Sequence, residues 1–338
     1  MASKCAFVAA TLVLSLSASY GFEPIPSTPG VSGFVNAGVA YVDAKSNMLA
    51  GNDFGDLGQR TIGSLTSDPG SQSDWFPLLN FELAYTFATA RTQVVLGNRL
   101  EDFVTFDTTT QLAVRTELPD SSIVGLGYVF NSIPTEVWSD PYVVNVPRSA
   151  TDRHAPGLRL EYSYILGSNF GAELTRRKVD IDDERSGTTQ LGLAAPQARL
   201  LDRNGDATTL ELRYRHSFDD GRQILIPSIR YGDHDLDGRA MAYDEYRLQL
   251  THLYLGERWN VASNLVYARH DFDAANPVFG RTRETDVYGG SVQLFYKRPF
   301  EIDRLSLVAT LAAYEEDSNI AFYDSTVTLL GLSAFYRF

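Results

Sequence analysis

Thr326-Val327-Thr328-Leu329-Leu330-Gly331-Leu332-Ser333-Ala334-Phe335-Tyr336-Arg337-Phe338 closes the chain. Side chains of an extended segment alternate between two faces. Thr328, Leu330, Leu332, Ala334, Tyr336 and Phe338 therefore share one side, while Val327, Ser333 and Arg337 lie on the other. The first set is apolar beyond its threonine and ends in two aromatics. This is the pattern of a β-strand with one face in lipid, closing on an interfacial ring.

A final strand with Tyr336 two residues before a terminal Phe338 is an expected membrane-insertion signal, read by the assembly machinery that inserts barrels into Gram-negative outer membranes. The other end of the chain agrees. Lys4 precedes an apolar stretch over residues 5–16 and then small residues, the organisation of a secretory signal peptide. Residues 1–21 form this signal, with Ser19 and Gly21 at the small-residue positions and Phe22 as the mature N-terminus. Cys5, the one cysteine, departs with it. The mature chain then has no disulfide, thiolate metal site or cysteine nucleophile. The formal charge of −13 becomes about −14 on losing Lys4. Such acidity argues against nucleic acid as a partner.

Past the signal, no segment has the roughly 18 consecutive apolar residues of a membrane helix. A closed barrel needs none, because its backbone groups pair between strands and only alternate side chains meet lipid. The 18 Tyr and 19 Phe suit the aromatic girdles of such a barrel. Period-two alternation predicts strands at 31–43, 75–87, 92–98, 108–117, 122–130, 157–165, 170–179, 208–217, 223–231, 245–253, 259–268, 285–296, 305–314 and 326–338. The expected fold is thus an all-β, transmembrane, antiparallel up-and-down barrel of 14 strands over residues 31–338. A 12-stranded barrel is the runner-up, since 92–98 is short. Residues 22–30 form a short periplasmic segment, too few for an N-terminal hatch.

Short turns at 167–169, 219–221 and 255–257 should face the periplasm, and long polar loops at 44–74, 131–156 and 180–207 should face outward. A barrel this wide holds water or a folded-in loop. Residues 180–207, apolar over 191–201, and 131–156, with Pro134, Trp138, Pro141, Tyr142 and Pro147, are the candidates for a plug or an outer lid.

Strand parity also predicts the lumen. Arg115, Arg159, Glu161, Glu173, Arg177, Glu211, Arg213, Arg215 and Arg247 point inward, as do Ser163, Thr175, Gln249 and Thr251, while Leu158, Leu160, Tyr162 and Tyr164 face lipid. The opposite wall is small and uncharged: Asn260, Ala262, Asn264, Ser291, Gln293, Ser306 and Thr310. The inward charges either pair across strands or form an arginine ladder that orients anionic solutes, since guanidinium groups engage carboxylates and phosphates in a fixed fork. Neutralising Arg213 and Arg215 together is expected to shift selectivity toward cations.

Asp233, Asp235, Asp237, Gly238 and Asp244 match the ligand spacing of a calcium loop, although Asp replaces the usual Glu at the last position. A calcium or other divalent ion there would tether the loop or bridge to lipopolysaccharide phosphates. No other cofactor is implied. His154 beside Asp152, His234 beside Asp233 and His270 beside Asp271 are expected near the outer rim, and His216 and His252 near the periplasmic girdle. No nucleophile motif accompanies them, so the protein is not expected to be an enzyme.

Phe22-Glu23-Pro24-Ile25-Pro26, Ser46-Asn47-Met48 with Gly51-Asn52-Asp53, Leu100-Glu101-Asp102-Phe103 and the run from Pro134 to Tyr142 resemble a domain-of-unknown-function family of Gram-negative outer-membrane proteins. The resemblance spans the mature chain and implies the outer membrane of the cell envelope, without an assigned activity. The expected function is a porin-like channel for passive diffusion of small hydrophilic, including anionic, solutes. Its partners are then outer-membrane lipid, lipopolysaccharide and the solute. The alternative is a non-conducting surface protein, an adhesin, receptor or envelope-stabilising barrel acting through its acidic loops.

Overall fold

In the computed structural model the described residues are 22–102 and 107–338. The predicted signal peptide, residues 1–21, lies outside them. Fourteen strands close a single antiparallel barrel: β1 (Gly30–Lys45), β2 (Ser71–Phe87), β3 (Thr92–Asp102), β4 (Asp107–Glu117), β5 (Ile123–Phe130), β6 (Gly157–Ser163) and β7 (Phe170–Ile181). They continue as β8 (Gly205–Tyr214 and His216–Phe218, interrupted at Arg215), β9 (Gln223–Leu236), β10 (Tyr243–Leu255), β11 (Trp259–Asn276), β12 (Arg281–Lys297), β13 (Leu305–Ser318) and β14 (Ser325–Arg337). Each strand pairs with its neighbours in sequence, and β1 pairs with β14 from Phe34↔Arg337 to Lys45↔Thr326. The Gly33 and Phe338 amides exchange bonds with each other's carbonyls at 3.2 and 3.0 Å, so the last residue completes the seam. Fourteen strands, not twelve, form the wall, and β3 runs beyond its predicted end.

The alternation decides which face meets lipid. Along β14, Leu330, Leu332 and Tyr336 are exposed while Val327, Leu329 and Phe335 are buried. Leu79, Leu83, Leu126, Leu158, Leu160, Leu248, Leu265 and Leu311 are likewise exposed on the outer surface. A continuous apolar band of this extent is far larger than soluble monomers leave in water. Aromatic pairs rim it: Tyr231 with Tyr246 and Tyr267 with Tyr288, each at 5.5 Å, toward the long loops; Phe170 with Tyr214 at 4.8 Å and Trp259 with Tyr296 at 4.7 Å toward the short turns. This is the belt of an outer-membrane barrel. His216 stacks between Tyr214 and Phe218 in the periplasmic girdle, and His252 shares that end, bonded to Gln223.

Three packed layers occupy the interior. At the periplasmic end Phe22, Phe34, Ile224, Ile226, Leu253, Phe295, Val308 and Phe335 form an apolar floor. The N-terminal segment crosses it, tied by carbonyls: Tyr164 Oη donates to Phe22 O (2.5 Å), Arg115 to Glu23 O (2.8 Å), and Arg91 to Ile25 O and Pro26 O (2.8 and 2.9 Å). Tyr164 therefore does not face lipid. Its φ of 53° ends β6 and turns the ring onto Phe22, edge to face at 5.4 Å.

The second layer is the first outer loop, L1 (residues 46–70), folded against the uncharged wall. Leu49 and Leu57 pack with Ala40, Val42, Ala44, Phe76, Val287, Ala312, Val327 and Leu329. Small wall residues leave the space that these leucines fill. L1 contains a hairpin, Leu49–Asn52 with Gly55–Asp56, whose Gly51 has φ +153° and would drive a Cβ to 2.2 Å from Gly55 O. Its first strand pairs with Thr135–Trp138 of L3 (residues 131–156), which pairs with Ala150–His154, which joins the top of β7 at Asp180↔His154. L1 is thus the inserted loop, which neither plug candidate anticipated. Residues 131–156 and 182–204 instead build the third layer, an outer lid.

In that lid Tyr142, Leu201, Met241, Ile320, Phe322 and Tyr323 pack as one cluster. Tyr142 and Tyr323 share a hydroxyl hydrogen bond of 2.5 Å, and Asn276 donates to Tyr323 at 2.6 Å. Arg148, 2% exposed, donates to Asn47 O, Pro141 O and Gln59 O and lies 4.3 Å from the Trp138 ring. It therefore couples L1 to L3.

Candidate functional site

Between floor and lid lies a chamber of about 270 Å³. Sheet register dictates its layering. One row of cross-strand partners reads Glu161↔Glu173↔Glu211↔Arg230↔Arg247↔Ala268. The next row toward the outside reads Arg159↔Thr175↔Thr209↔Gly232↔Glu245↔His270. A third holds Arg177↔Ala207↔His234↔Tyr243↔Phe272. Above these come Val179, Ile181 and Leu236, with Met241 and Tyr323 from the lid. The chamber is charged at its periplasmic end, and at its outer end an apolar patch lies beside the pairs Arg177–Asp107 and Arg283–Glu316 and the loop arginines Arg153 and Arg203, with His234, Tyr243 and His270 between.

Arg115, Arg159, Glu161, Glu173, Glu211 and Arg213 are buried on the inner side of the wall, and Arg177 and Arg247 half-buried there. Arg215 departs from that placement. It sits in the break of β8, half-buried, with its backbone N–H on Asn169 O at 2.9 Å. Most of the arginines are ion-paired. Arg159 meets Glu173 at 3.0 Å, Arg177 meets Asp107 at 2.5 Å, Arg230 meets Glu211 at 2.7 Å and Arg247 meets Glu245 at 2.9 Å. Arg213 lies 3.6 Å from Glu173 and 3.8 Å from Glu211, with Phe22 covering it at 5.7 Å. Arg213 and Arg215 are thus placed below the chamber. Breaking such buried pairs one partner at a time costs about 3–5 kcal/mol, so the network also holds the wall together.

Cations still outnumber acids around the chamber. The barrel contributes Arg159, Arg177, Arg230, Arg247 and Arg283, and the loops add Arg153 and Arg203. Asp107, Glu173, Glu245 and Glu316 are the acids in contact with the space. Glu211 and Glu184 pair from behind with Arg230 and Arg203. With those two, Glu161 of the first row and Arg213 included, a surplus of one positive charge remains, inside a chain whose formal charge is −13.

Arg230, Glu245, His234, His270 and Arg283 escaped the sequence reading as chamber residues. Continuing the parity of Ile224 and Ile226 would have placed Arg230 and His234 inward, and that of Arg247 would have placed Glu245. His234 and His270 do not sit with Asp233 and Asp271 as rim pairs. Adjacent strand residues face opposite sides, and these histidines flank Tyr243 at 4.1 and 4.8 Å inside the barrel. Arg283 and Glu316, 4.0 Å apart, also bring charge to the outer end of the wall expected to be neutral.

The calcium-loop pattern does not form a loop. Asp233 and Asp235 lie on the outer face of β9, Asp244 is the cross-strand partner of Asp233 on β10 and accepts from Tyr231 Oη at 2.7 Å, and Asp237 alone of the four lies in the connection. Extended strands hold these carboxylates along a ladder instead of curling them around an ion. Among the described residues, Asp152, His154 and Asp182 are the group whose potential ligand atoms converge, on an exposed rim.

The chain belongs to the family described as Protein of unknown function (DUF2860), which matches residues 30–337. No curated protein matches it by sequence. Among solved structures, the Pseudomonas putida toluene transporter TodX is similar at 11% identity and a TM-score of 0.43, covering 95% of this chain and 91% of that one. The outer membrane channel DcaP of Acinetobacter baumannii is similar at 12% identity and a TM-score of 0.44, covering 92% and 97%. A loop L8 deletion mutant of OmpT, an outer membrane protein of Vibrio cholerae, is similar at 11% and 0.39, covering 90% and 99%.

Proposed function

We propose that the protein is a porin-like outer-membrane channel for passive diffusion of small hydrophilic solutes, favouring anions, with no catalytic step. The observation that supports this reading is the cationic surplus around a chamber inside the barrel of an acidic chain. A wall of fixed guanidinium groups in a confined lumen raises the local concentration of anions. L1, the N-terminal segment and the lid narrow the path, so passage requires at least one of them to move.

That narrowing also favours a second reading, a non-conducting surface barrel. Proteoliposome swelling separates the two. Vesicles holding the folded barrel should swell faster in isotonic sodium gluconate than in a neutral hexitol of similar size, whereas vesicles that swell in neither solute support the surface protein.

A further inference from the structure

Two opposed arginines below an apolar patch suggest more than general anion preference. Arg230 and Arg247 are directly opposed on β9 and β10. Like charges directly opposite across a strand pair destabilise it, and an anion between them relieves the repulsion. Each already meets an acid, but a guanidinium has five donors in a planar fork, so an ion-paired arginine can engage a second carboxylate. Above them, toward the outside, Val179, Leu236, Met241 and Phe272 give the chamber an apolar patch beside the ion pairs Arg177–Asp107 and Arg283–Glu316. A sugar acid or inorganic phosphate would leave that surface uncovered, and a neutral hydrocarbon would leave the charge pair unanswered.

We propose, building on the channel reading, that the chamber binds a small amphipathic monocarboxylate, its carboxylate between Arg230 and Arg247 and its apolar body against the outer apolar patch. The space of about 270 Å³ is near the lower limit of ordinary ligand pockets, roughly 300–1,000 Å³, which suits one ring or a short chain.

The test is calorimetric titration of the full folded barrel in lipid nanodiscs with benzoate, acetate, benzyl alcohol and inorganic phosphate. Benzoate should bind saturably and about tenfold or more tighter than the other three. The double variant Arg230→Gln with Glu211→Gln, which removes a whole ion pair, should weaken benzoate about tenfold. Met241→Asn, at the lid, should weaken benzoate and leave acetate unchanged. Equal binding of benzyl alcohol, tighter binding of phosphate, or indifference to the Arg230 double variant would overturn the assignment. Benzoate binding by a barrel that passes no solute would uphold it while removing the channel reading, and solute passage without benzoate binding would do the reverse.

Discussion

Arg230 and Arg247 face each other across the β9–β10 ladder, yet each takes its counter-ion elsewhere, Arg230 from Glu211 on β8 and Arg247 from Glu245 on its own strand. A like-charged cross-strand pair costs up to about 1 kcal/mol, so the arrangement is not the most stable one available to these residues. Replacing Arg247 by Gln should therefore relieve that repulsion but break the buried pair with Glu245, a net loss of stability set by the roughly 3–5 kcal/mol of the broken pair, and leave Glu245 uncompensated at the lumen. Planar-bilayer recordings should show the reversal potential move toward cations, and by more than in the Arg213→Gln, Arg215→Gln double variant, whose side chains lie below the chamber.

L1 is anchored on the wall by two buried leucines, Leu49 and Leu57. Leu57 is fully buried against the small-residue wall. Truncating a buried leucine costs about 2–5 kcal/mol, and here the cost falls on the inserted loop while the barrel ladder stays intact. Leu57→Ala should leave heat-modifiable electrophoretic mobility of the folded barrel unchanged but raise hydrogen exchange across residues 46–58 and the unitary conductance with it.

Arg148 fastens the same loop to L3. Burial pushes its guanidinium below the usual arginine range, opposed by three carbonyls and the Trp138 ring. Arg148→Ala would leave those carbonyls without donors, at a cost of about 1–3 kcal/mol for each that water does not reach. Protease nicking within L3 should appear in this variant under conditions where the parent is resistant.

Alkali should loosen the lid. Burial raises the pKa of Tyr142 and, further, of Tyr323, whose hydroxyls bond to each other. A neutral pair with raised folded pKa values stabilises fully below the unfolded tyrosine pKa of about 10, and that stabilisation is lost as pH rises through the folded values. Limited proteolysis of L3 stepped upward from neutral pH should show an onset above about pH 10. The Tyr142→Phe, Tyr323→Phe variant should show no such alkaline onset.

Strand number and the two-faced wall were legible because period-two alternation is enforced at every residue of a barrel with lipid on one side. Interior loops obey no such rule. L1 offers Met48, Leu49, Phe54, Leu57, Ile62 and Leu65 scattered among polar residues, and the space that Leu49 and Leu57 fill is created by distant Ala40, Ala44 and Ala312. Apolar content favoured 191–201 instead, but those residues meet the lid. The calcium pattern misled because spacing alone is blind to whether Asp233 and Asp235 are curled or extended. Arg230 and His234 were missed where strand β9 continues past its apolar stretch, since membrane patterning fades above the girdle while the backbone ladder goes on.

The most direct measurement is single-channel recording of the refolded barrel in a planar bilayer under a salt gradient, comparing the parent with a variant whose L1 residues 47–57 are replaced by a short glycine-serine linker. An anion-selective conductance that rises when L1 is removed, with selectivity retained, is the predicted result. A folded barrel that stays silent in both forms, or one that conducts without preferring anions, would contradict it.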